Sequence, residues 1–176
     1  ITSFNFSAYA SNGTTNNKKL LKFLPQVGVD LKYPLVEKDN SKTLLIEPRL
    51  QFFLSPDDYK NSKIRNEESI EVDLTSSNLF GINRYSGLDR IESGIRINYG
   101  LFLKKLNKDG SSLSGSIGRN YNQNKQDLFN ESTGFDGNNS QIVGNIDFNN
   151  SKYKLNYDFR FSENLVLNRN SIENTV

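Results

Sequence analysis

Apolar and polar residues alternate almost without exception between residues 91 and 103, and this alternation constrains the fold more than any other feature of the chain. The apolar set runs from Ile91 through Ile97 to Leu103, while Arg96 and Asn98 belong to the polar set. Because successive side chains of a β-strand point to opposite faces, this spacing predicts a strand with two different faces. One face suits lipid, and the other suits water.

The same two-residue period recurs along the chain and predicts about eight strands. We place them at residues 2–10, 23–35, 44–54, 91–103, 111–121, 141–148, 152–161 and 165–176. Most of these strands are long enough to cross a bilayer at a tilt, and several carry charges on one face. The predicted fold class is therefore all-β, an antiparallel up-and-down transmembrane β-barrel, here an incomplete segment of about eight strands.

Connections between the predicted strands alternate between long and short. The long ones cover residues 11–19, 56–89 and 122–140, and the short turns lie at residues 37–42, 107–110 and 149–151. Outer-membrane barrels have long loops outside the cell and short turns in the periplasm. Residues 69–74 are compatible with a short extra strand. Pro48 lacks the N–H group that a central strand uses in its ladder, so we expect irregular pairing beside it.

Composition excludes several function classes. No apolar stretch approaches the roughly 18 residues of a membrane-spanning helix, and the chain has no cysteine and no histidine. We therefore expect no enzymatic activity, no cofactor and no metal site. The 22 basic and 20 acidic residues are interspersed, which leaves no basic stripe for nucleic acid. Because the chain begins at Ile1 without a methionine, we expect residues 1–176 to be a fragment of one outer-membrane β-barrel domain, with no second domain.

A cluster of motifs in the middle of the chain is more specific than the alternation. Ile46-Glu47-Pro48-Arg49 is followed by the run SNLFGINRYSGLDRIESG at residues 77–94 and then by Tyr99-Gly100-Leu101, and Tyr33-Pro34-Leu35 precedes them. Together these motifs resemble the barrel domain of the LPS-assembly outer-membrane protein family, LptD or OstA. That family carries a similar EPR strand, a loop of the form NLF..NR(F/Y)SG.DR and a following G.R..YGL strand. The resemblance covers residues 33–101 and implies a central part of the barrel.

The resemblance also implies a function. It implies LPS transport and assembly at the bacterial outer membrane, as part of the barrel translocon that inserts LPS into the outer leaflet. The implied partners are LPS, membrane lipid, a plug lipoprotein similar to LptE and the periplasmic LPS-bridge proteins. The disulfide cysteines and the lateral-gate region of the family are not represented in this chain, so nothing about them carries over.

The loop motif contains residues that can hold the loop over the mouth of a barrel. Arg84, Asp89 and Arg90 place opposite charges close together, and Gly87 gives the backbone freedom to fold. The candidate network comprises Asn78, Phe80, Arg84, Gly87, Asp89 and Arg90. Two roles remain open for it. These residues either hold the loop in place by pairing with carboxylates, or contact a phosphate or sugar of LPS.

The polar faces of the strands supply a second set of candidate residues. Those we expect to face the lumen are Glu47, Arg49, Gln51, Glu92, Arg96, Asn98, Asp158 and Arg160. They could line a path for the anionic head of an amphiphile. Mixed charges also keep a large lumen wet and pair across strands, which is the alternative interpretation.

Two other function classes share the alternation. A porin-like or receptor barrel for small solutes would differ only in the loop motif. A soluble β-sandwich binding module would pack its apolar faces against each other instead of against lipid. Detergent dependence separates the sandwich from the barrels, and crosslinking to LPS separates the two barrels.

Overall fold

Nine strands make up almost all of the regular structure in the described part of the chain. The structure is a computed structural model that describes residues 2–15, 18–57, 70, 72–85, 91–123, 131–135 and 137–175. Within these ranges the strands are β1 (Thr2–Thr15), β2 (Lys18–Lys32), β3 (Leu35–Lys38), β4 (Lys42–Leu54), β5 (Ile95–Asn107), β6 (Ser112–Asn122), β7 (Ile142–Asn149), β8 (Lys154–Phe161) and β9 (Leu167–Thr175). A short 3-10 helix, Glu131–Thr133, precedes β7. Among the described residues, no helix is long and apolar enough to cross a membrane.

All strands belong to one antiparallel sheet in which neighbours in sequence are neighbours in space. The order is β1-β2-β4-β5-β6-β7-β8-β9, and β3 also pairs with β4. β3 continues the line of β2, because both pair with the same side of β4 in one register. Within the described ranges, β1 and β9 form the two ends of the sheet and do not pair with each other. The predicted all-β, up-and-down fold class is confirmed, and the open sheet fits an incomplete segment of a barrel.

Pro48 lies in a central strand at the point where its neighbour is interrupted. β2 ends at Lys32 and β3 begins at Leu35, so the break falls beside Pro48. The Tyr33 N–H donates to the Pro48 carbonyl oxygen at 3.1 Å. In an antiparallel sheet the N–H and C=O of one residue face the same neighbouring strand. The Pro48 carbonyl faces the break between β2 and β3, so the N–H that proline lacks would have faced that break as well. The ladder between β4 and β5 therefore loses no hydrogen bond at Pro48, which is paired there with Leu101.

The sheet has one exposed apolar face and one largely buried polar face. Neighbouring outward positions carry large hydrophobic side chains that are about half exposed, among them Leu50, Phe52, Leu54, Tyr99, Leu103, Ile117, Ile146 and Leu155. The buried polar residues of the strands include Asp30, Gln51, Arg96, Asn98, Asn120 and Arg160. We call these two surfaces the apolar face and the polar face. The two-residue period thus separates apolar from polar side chains, and the polar face is the one that other parts of the described chain cover.

The apolar face contains a glycine that an aromatic ring covers. Gly144 of β7 pairs with Phe159 of β8, and the Phe159 ring lies directly over it. Tyr157 and Phe161 flank Phe159 with ring centroids 5.9 and 5.3 Å away. Aromatic cover of a strand glycine is a known way to stabilise a sheet at a residue that has no side chain of its own.

The structure corrects three details of the sequence prediction. The first connection is not a loop over residues 11–19, because β1 extends to Thr15 and β2 begins at Lys18. The fifth strand begins at Ile95 rather than at Ile91, which is buried. Gly94 has a φ of +83°, so the chain bends there before it enters the sheet. Residues 70 and 72–74 are not a strand; the rest of the predicted extra strand lies outside the described residues.

The short turn after β5, predicted at residues 107–110, is built around Asp109 and Gly110. Gly110 has a φ of +82°, a conformation that favours glycine. The Ser111 N–H donates to the Asp109 carboxylate at 2.9 Å. Hydrogen bonds from Ser111 lower the pKa of the Asp109 carboxyl below its usual value. The turn is therefore closed by a side-chain acceptor as well as by the glycine.

We expect Gly144→Ala to destabilise the protein. The added Cβ would lie 2.5 Å from the Ser116 carbonyl oxygen and would also overlap the Phe159 ring. We therefore expect the free energy of unfolding to fall by about 1–3 kcal/mol. Gly137→Ala is the matched control, because its Cβ would meet nothing closer than 3.4 Å. Urea unfolding midpoints of the full-length protein measure both effects. Equal midpoints for the two variants would contradict the close packing at Gly144.

Candidate functional site

Part of the connection between β4 and β5 lies against the polar face of the sheet. We call its described residues, 72–85 and 91–94, the covering loop. Gly100 of β5 and Gly118 of β6 pair with each other beneath it. A Cβ at Gly100 would lie 3.2 Å from the Phe80 ring, and one at Gly118 would overlap the Leu79 side chain. The two glycines therefore form a depression that receives two apolar residues of the loop.

Asn78 organises the turn that presents these two residues. Its Oδ1 accepts a hydrogen bond from the Thr75 N–H at 2.9 Å, and its Nδ2 donates to the Asp73 carbonyl oxygen at 2.7 Å. The Gly81 N–H donates to the Asn78 carbonyl oxygen at 2.9 Å. Because an asparagine side chain satisfies nearby backbone groups in this way, it fixes a compact loop without regular secondary structure.

A buried charge network ties the covering loop to β5. The side-chain Nε and the backbone N–H of Arg84 both donate to Glu92 Oε1, at 2.7 and 2.8 Å respectively. Arg84 and Arg96 both form ion pairs with Glu92 Oε2. All three side chains are at most 2% exposed, and Arg96 also donates to the Ile82 carbonyl oxygen of the loop. One carboxylate thus neutralises guanidinium groups from the loop and from the sheet.

Two arginines on this side of the sheet also lie over aromatic rings. Arg96 Cζ is 4.5 Å from the ring centroid of Phe53, and Arg49 Cζ is 4.4 Å from that of Phe80. Arg49 is held in turn by Asp30, with Nε and Nη2 donating to the two carboxylate oxygens at 3.0 and 2.6 Å. Cation–π contacts gain strength away from water. The contact between Arg49 of β4 and Phe80 of the covering loop therefore favours the position of the loop against the sheet.

Polar side chains form a continuous row across four strands below the network. Gln51 Nε2 donates to Asp30 at 3.2 Å, Asn98 donates to Gln51 at 3.0 Å, and Asn120 donates to Asn98 at 2.6 Å. Asn98 is 0% exposed. Buried polar groups are costly without partners, and this row supplies partners from strand to strand.

A second loop packs against the first. Its described residues are 131–135 and 137–141, and we call them the second loop. Phe135 of this loop is completely buried in a cluster with Leu74, Leu79 and Tyr85 of the covering loop and Val143 of β7. Arg84 Cζ lies 4.3 Å from the Phe135 ring centroid. The two loops therefore share one small apolar core above the polar face.

Arg160 of β8 contacts the second loop through its backbone. Its Nη1 and Nη2 donate to the carbonyl oxygens of Thr133 and Ser132, both at 2.8 Å. Gly134 has a φ of +87°, and a Cβ there would lie 3.0 Å from Arg160 Cδ. A glycine is therefore needed at this position for both its backbone conformation and the space that it leaves.

The structure brings most of the predicted site residues to the polar face. Asn78, Phe80 and Arg84 lie in the covering loop; Arg49, Gln51, Glu92, Arg96, Asn98 and Arg160 make the contacts described above. Glu47 and Asp158 line separate cavities beneath the covering loop, of about 410 and 130 Å³. Gly87, Asp89 and Arg90 lie outside the described residues. In the described part of the chain, no group of three or more acidic side chains is arranged to hold a metal ion.

Sequence reasoning missed Phe53, Asp30 and Phe135. Phe53 occupies a polar-face position of β4, pairs with Gly28 and covers it, which places an aromatic ring beside Arg96. An aromatic residue at an inward position of an alternating strand was the available signal for Phe53. Phe135 lies in a connection without any period, so nothing in the sequence indicated its burial.

We expect Glu92→Gln to release the covering loop. The change leaves two buried guanidinium groups without their counter-charge, and breaking a buried ion pair in this way costs about 3–5 kcal/mol. Glu163→Gln is the control, because Glu163 is 62% exposed where it pairs with Arg119, and surface pairs contribute about 0–1 kcal/mol. Limited proteolysis of the full-length protein measures the release. Equal protection of the loop in both variants would contradict the network.

Glu92 also makes the covering loop sensitive to acid. Burial raises the pKa of its carboxyl, but the charges of Arg84 and Arg96 outweigh burial and lower the pKa from 4.5 to about 2. The network therefore stabilises the folded state fully at a pH above 4.5, the pKa of Glu92 in the unfolded chain. This contribution is lost as the pH falls from 4.5 toward 2. The protection of the loop amides, measured as their hydrogen-exchange rates relative to those of unfolded peptides at the same pH, should fall over this window in the wild type. The step should be missing in Glu92→Gln.

Comparison with known proteins agrees with the motifs. A family model described as LptD, LPS transport system D, matches residues 2–172, from β1 into β9. A search of curated proteins finds no significant match. The family match extends well beyond residues 33–101, which carried the resemblance in the sequence, and it confirms that resemblance. The chain belongs to the LptD family of the LPS transport system.

Proposed function

We propose that this chain forms part of the wall of an outer-membrane barrel that inserts LPS into the outer leaflet. The observation that carries the proposal is the pairing of a broad exposed apolar face with a polar face covered by the chain's own loops. Membership of the LptD family supplies the substrate, LPS. The proposed role is transport of a lipid with a large polar head, without any covalent step.

The apolar face supports contact with lipid. Its exposed side chains belong to strands from β2 to β9, for example Val27, Leu50, Ile117 and Ile172. Exposed apolar patches of this extent on a water-soluble protein would be covered by a partner or a second sheet. Among the described residues, the strands form a single sheet, and its loops pack on the polar face. A transmembrane wall accounts for both faces at once.

The polar face supports an amphiphilic cargo over a small solute. A porin needs an open aqueous lumen, whereas here the covering loop and the second loop lie across the polar face. Beneath the covering loop a cavity of about 410 Å³ is lined by both charged and hydroxyl side chains, including Glu47, Lys104, Ser114 and Asp147. The carboxylates and the Ser114 hydroxyl can hydrogen-bond the sugar hydroxyl groups of LPS, and Lys104 can pair with one of its phosphates.

The proposal includes the setting in which the chain acts. It is a fragment of one barrel domain in the bacterial outer membrane, with the long connections outside the cell and the short turns in the periplasm. It works with a plug lipoprotein similar to LptE and with the periplasmic proteins that deliver LPS. It binds no nucleic acid, and it has no enzymatic activity and no cofactor.

The test is depletion of the full-length protein in cells and complementation by variants. We expect depletion to reduce surface LPS, and wild-type protein to restore it. Arg84→Ala should lower surface LPS more than it lowers the amount of assembled barrel, because it removes the loop's half of the ion pair. Glu163→Ala should behave as the wild type. Normal surface LPS after depletion, with reduced uptake of small solutes, would instead favour the porin.

A further inference from the structure

The covering loop and the second loop meet at a junction that Arg160 controls. The Leu74 N–H of the covering loop donates to the Thr133 carbonyl oxygen of the second loop at 2.9 Å. Arg160 donates to that same oxygen at 2.8 Å. The single backbone oxygen of Thr133 thus accepts one bond from the other loop and one from the sheet.

A carboxylate completes the junction from the side of the covering loop. Asp73 lies next to Leu74, and its Oδ1 is 3.6 Å from Arg160 Nη1. Arg169 of β9 forms an ion pair with the other oxygen of Asp73. Asp73 is 41% exposed, whereas the Arg160 side chain is 8% exposed. The guanidinium of Arg160 therefore contacts both loops at once from a buried position.

We propose that Arg160 is a positioning residue that joins the two loops into one lid, so that they leave the polar face together rather than one at a time. The lid comprises residues 72–85 and 91–94 of the covering loop and residues 131–135 and 137–141 of the second loop. The shared apolar core around Phe135 supports this, since neither loop can leave alone without exposing Leu74, Leu79 and Tyr85. The inference rests on the proposed function only for its role in LPS delivery.

Hydrogen exchange of the full-length protein in detergent tests the coupling without any reference to LPS. Arg160→Lys keeps the charge but cannot donate in parallel to two carbonyl oxygens. We expect exchange to accelerate about tenfold in the peptides of both loops by the same factor, because charge-assisted hydrogen bonds are lost. Acceleration confined to the second loop, or no acceleration at all, would overturn the proposal.

Arg119→Lys tests the same coupling from the second loop. Arg119 donates from a strand to the Ser140 carbonyl oxygen of that loop at 2.6 Å. Because the lid opens as one body, exchange should rise by one common factor in both loops of this variant, and a rise confined to the second loop would overturn the proposal. Glu163→Gln is the control, because Glu163 is 62% exposed where it pairs with Arg119, and exchange of both loops should stay unchanged.

Asp73→Asn provides an independent test if Arg160→Lys does not assemble. It removes the charge that Arg160 contacts in the covering loop and leaves the donors for the Thr133 and Ser132 carbonyl oxygens unchanged, so exchange should again rise in both loops by one factor.

Engineered disulfides test whether the lid moves as one body during transport. Leu74→Cys with Thr133→Cys joins the two loops, and Leu79→Cys with Gly118→Cys joins the lid to the sheet. In cells that depend on the full-length variant, the first pair should leave surface LPS unchanged. The second pair should reduce it at least fivefold, with recovery on reduction, and single-cysteine variants control for the reductant.

Two results of the disulfide experiment would overturn the proposal. Loss of surface LPS with the loops joined to each other would mean that they must separate. Normal surface LPS with the lid joined to the sheet would mean that the lid does not move. A failure of the LPS function itself would be recognised separately, since depletion of the wild-type protein would then leave surface LPS normal.

Discussion

One carboxylate, that of Glu92, holds the polar side of this structure together. It faces a guanidinium from the covering loop and another from β5, and all three groups are removed from water. Burying two cations is costly unless both are paired, so the loop and the strand can be buried only together. Arg84 also lies over Phe135 of the second loop, and Arg96 lies over Phe53 of β4. The second loop and β4 therefore also depend on the pairing of these arginines with Glu92. Closure of the loops and burial of the polar face are therefore one event.

The strands were predictable because their period is a direct consequence of backbone geometry. The alternation placed residues 44–54 in a strand that the structure begins two residues earlier, at Lys42, and ends at the same residue. Residues 11–15 and 18–22 gave no such period, and the structure still pairs them in full. Strand pairing satisfies backbone groups whatever the side chains are, so a regular hairpin without alternating side chains escapes a pattern search.

The site was only partly predictable, for a different physical reason. The loop motif drew attention to Arg84 as a charge, and the structure pairs it with Glu92, which the alternation assigned to the strand wall. The structure joins the two because the chain bends at Gly94, which returns Glu92 to the loop. Likewise, the period places Asn98 on the polar face, yet it cannot show that Asn98 is completely buried. How deeply a side chain is buried depends on what covers its face of the sheet. The covering loops have no regular alternation of polar and apolar residues from which this could be predicted.

The chemistry of the closed lid explains how it can be both well held and reversible. A lid closed by apolar packing alone would expose that surface to water on opening, at a cost that grows with area. Here only a small core, with Phe135 at its centre, carries such a cost. The charges of Arg84, Glu92, Arg96 and Arg160 regain hydration in a wet lumen, so breaking their contacts is offset by solvation. A lid held mainly by charges therefore needs every partner in place to stay shut, and removal of one partner is enough to favour the open state.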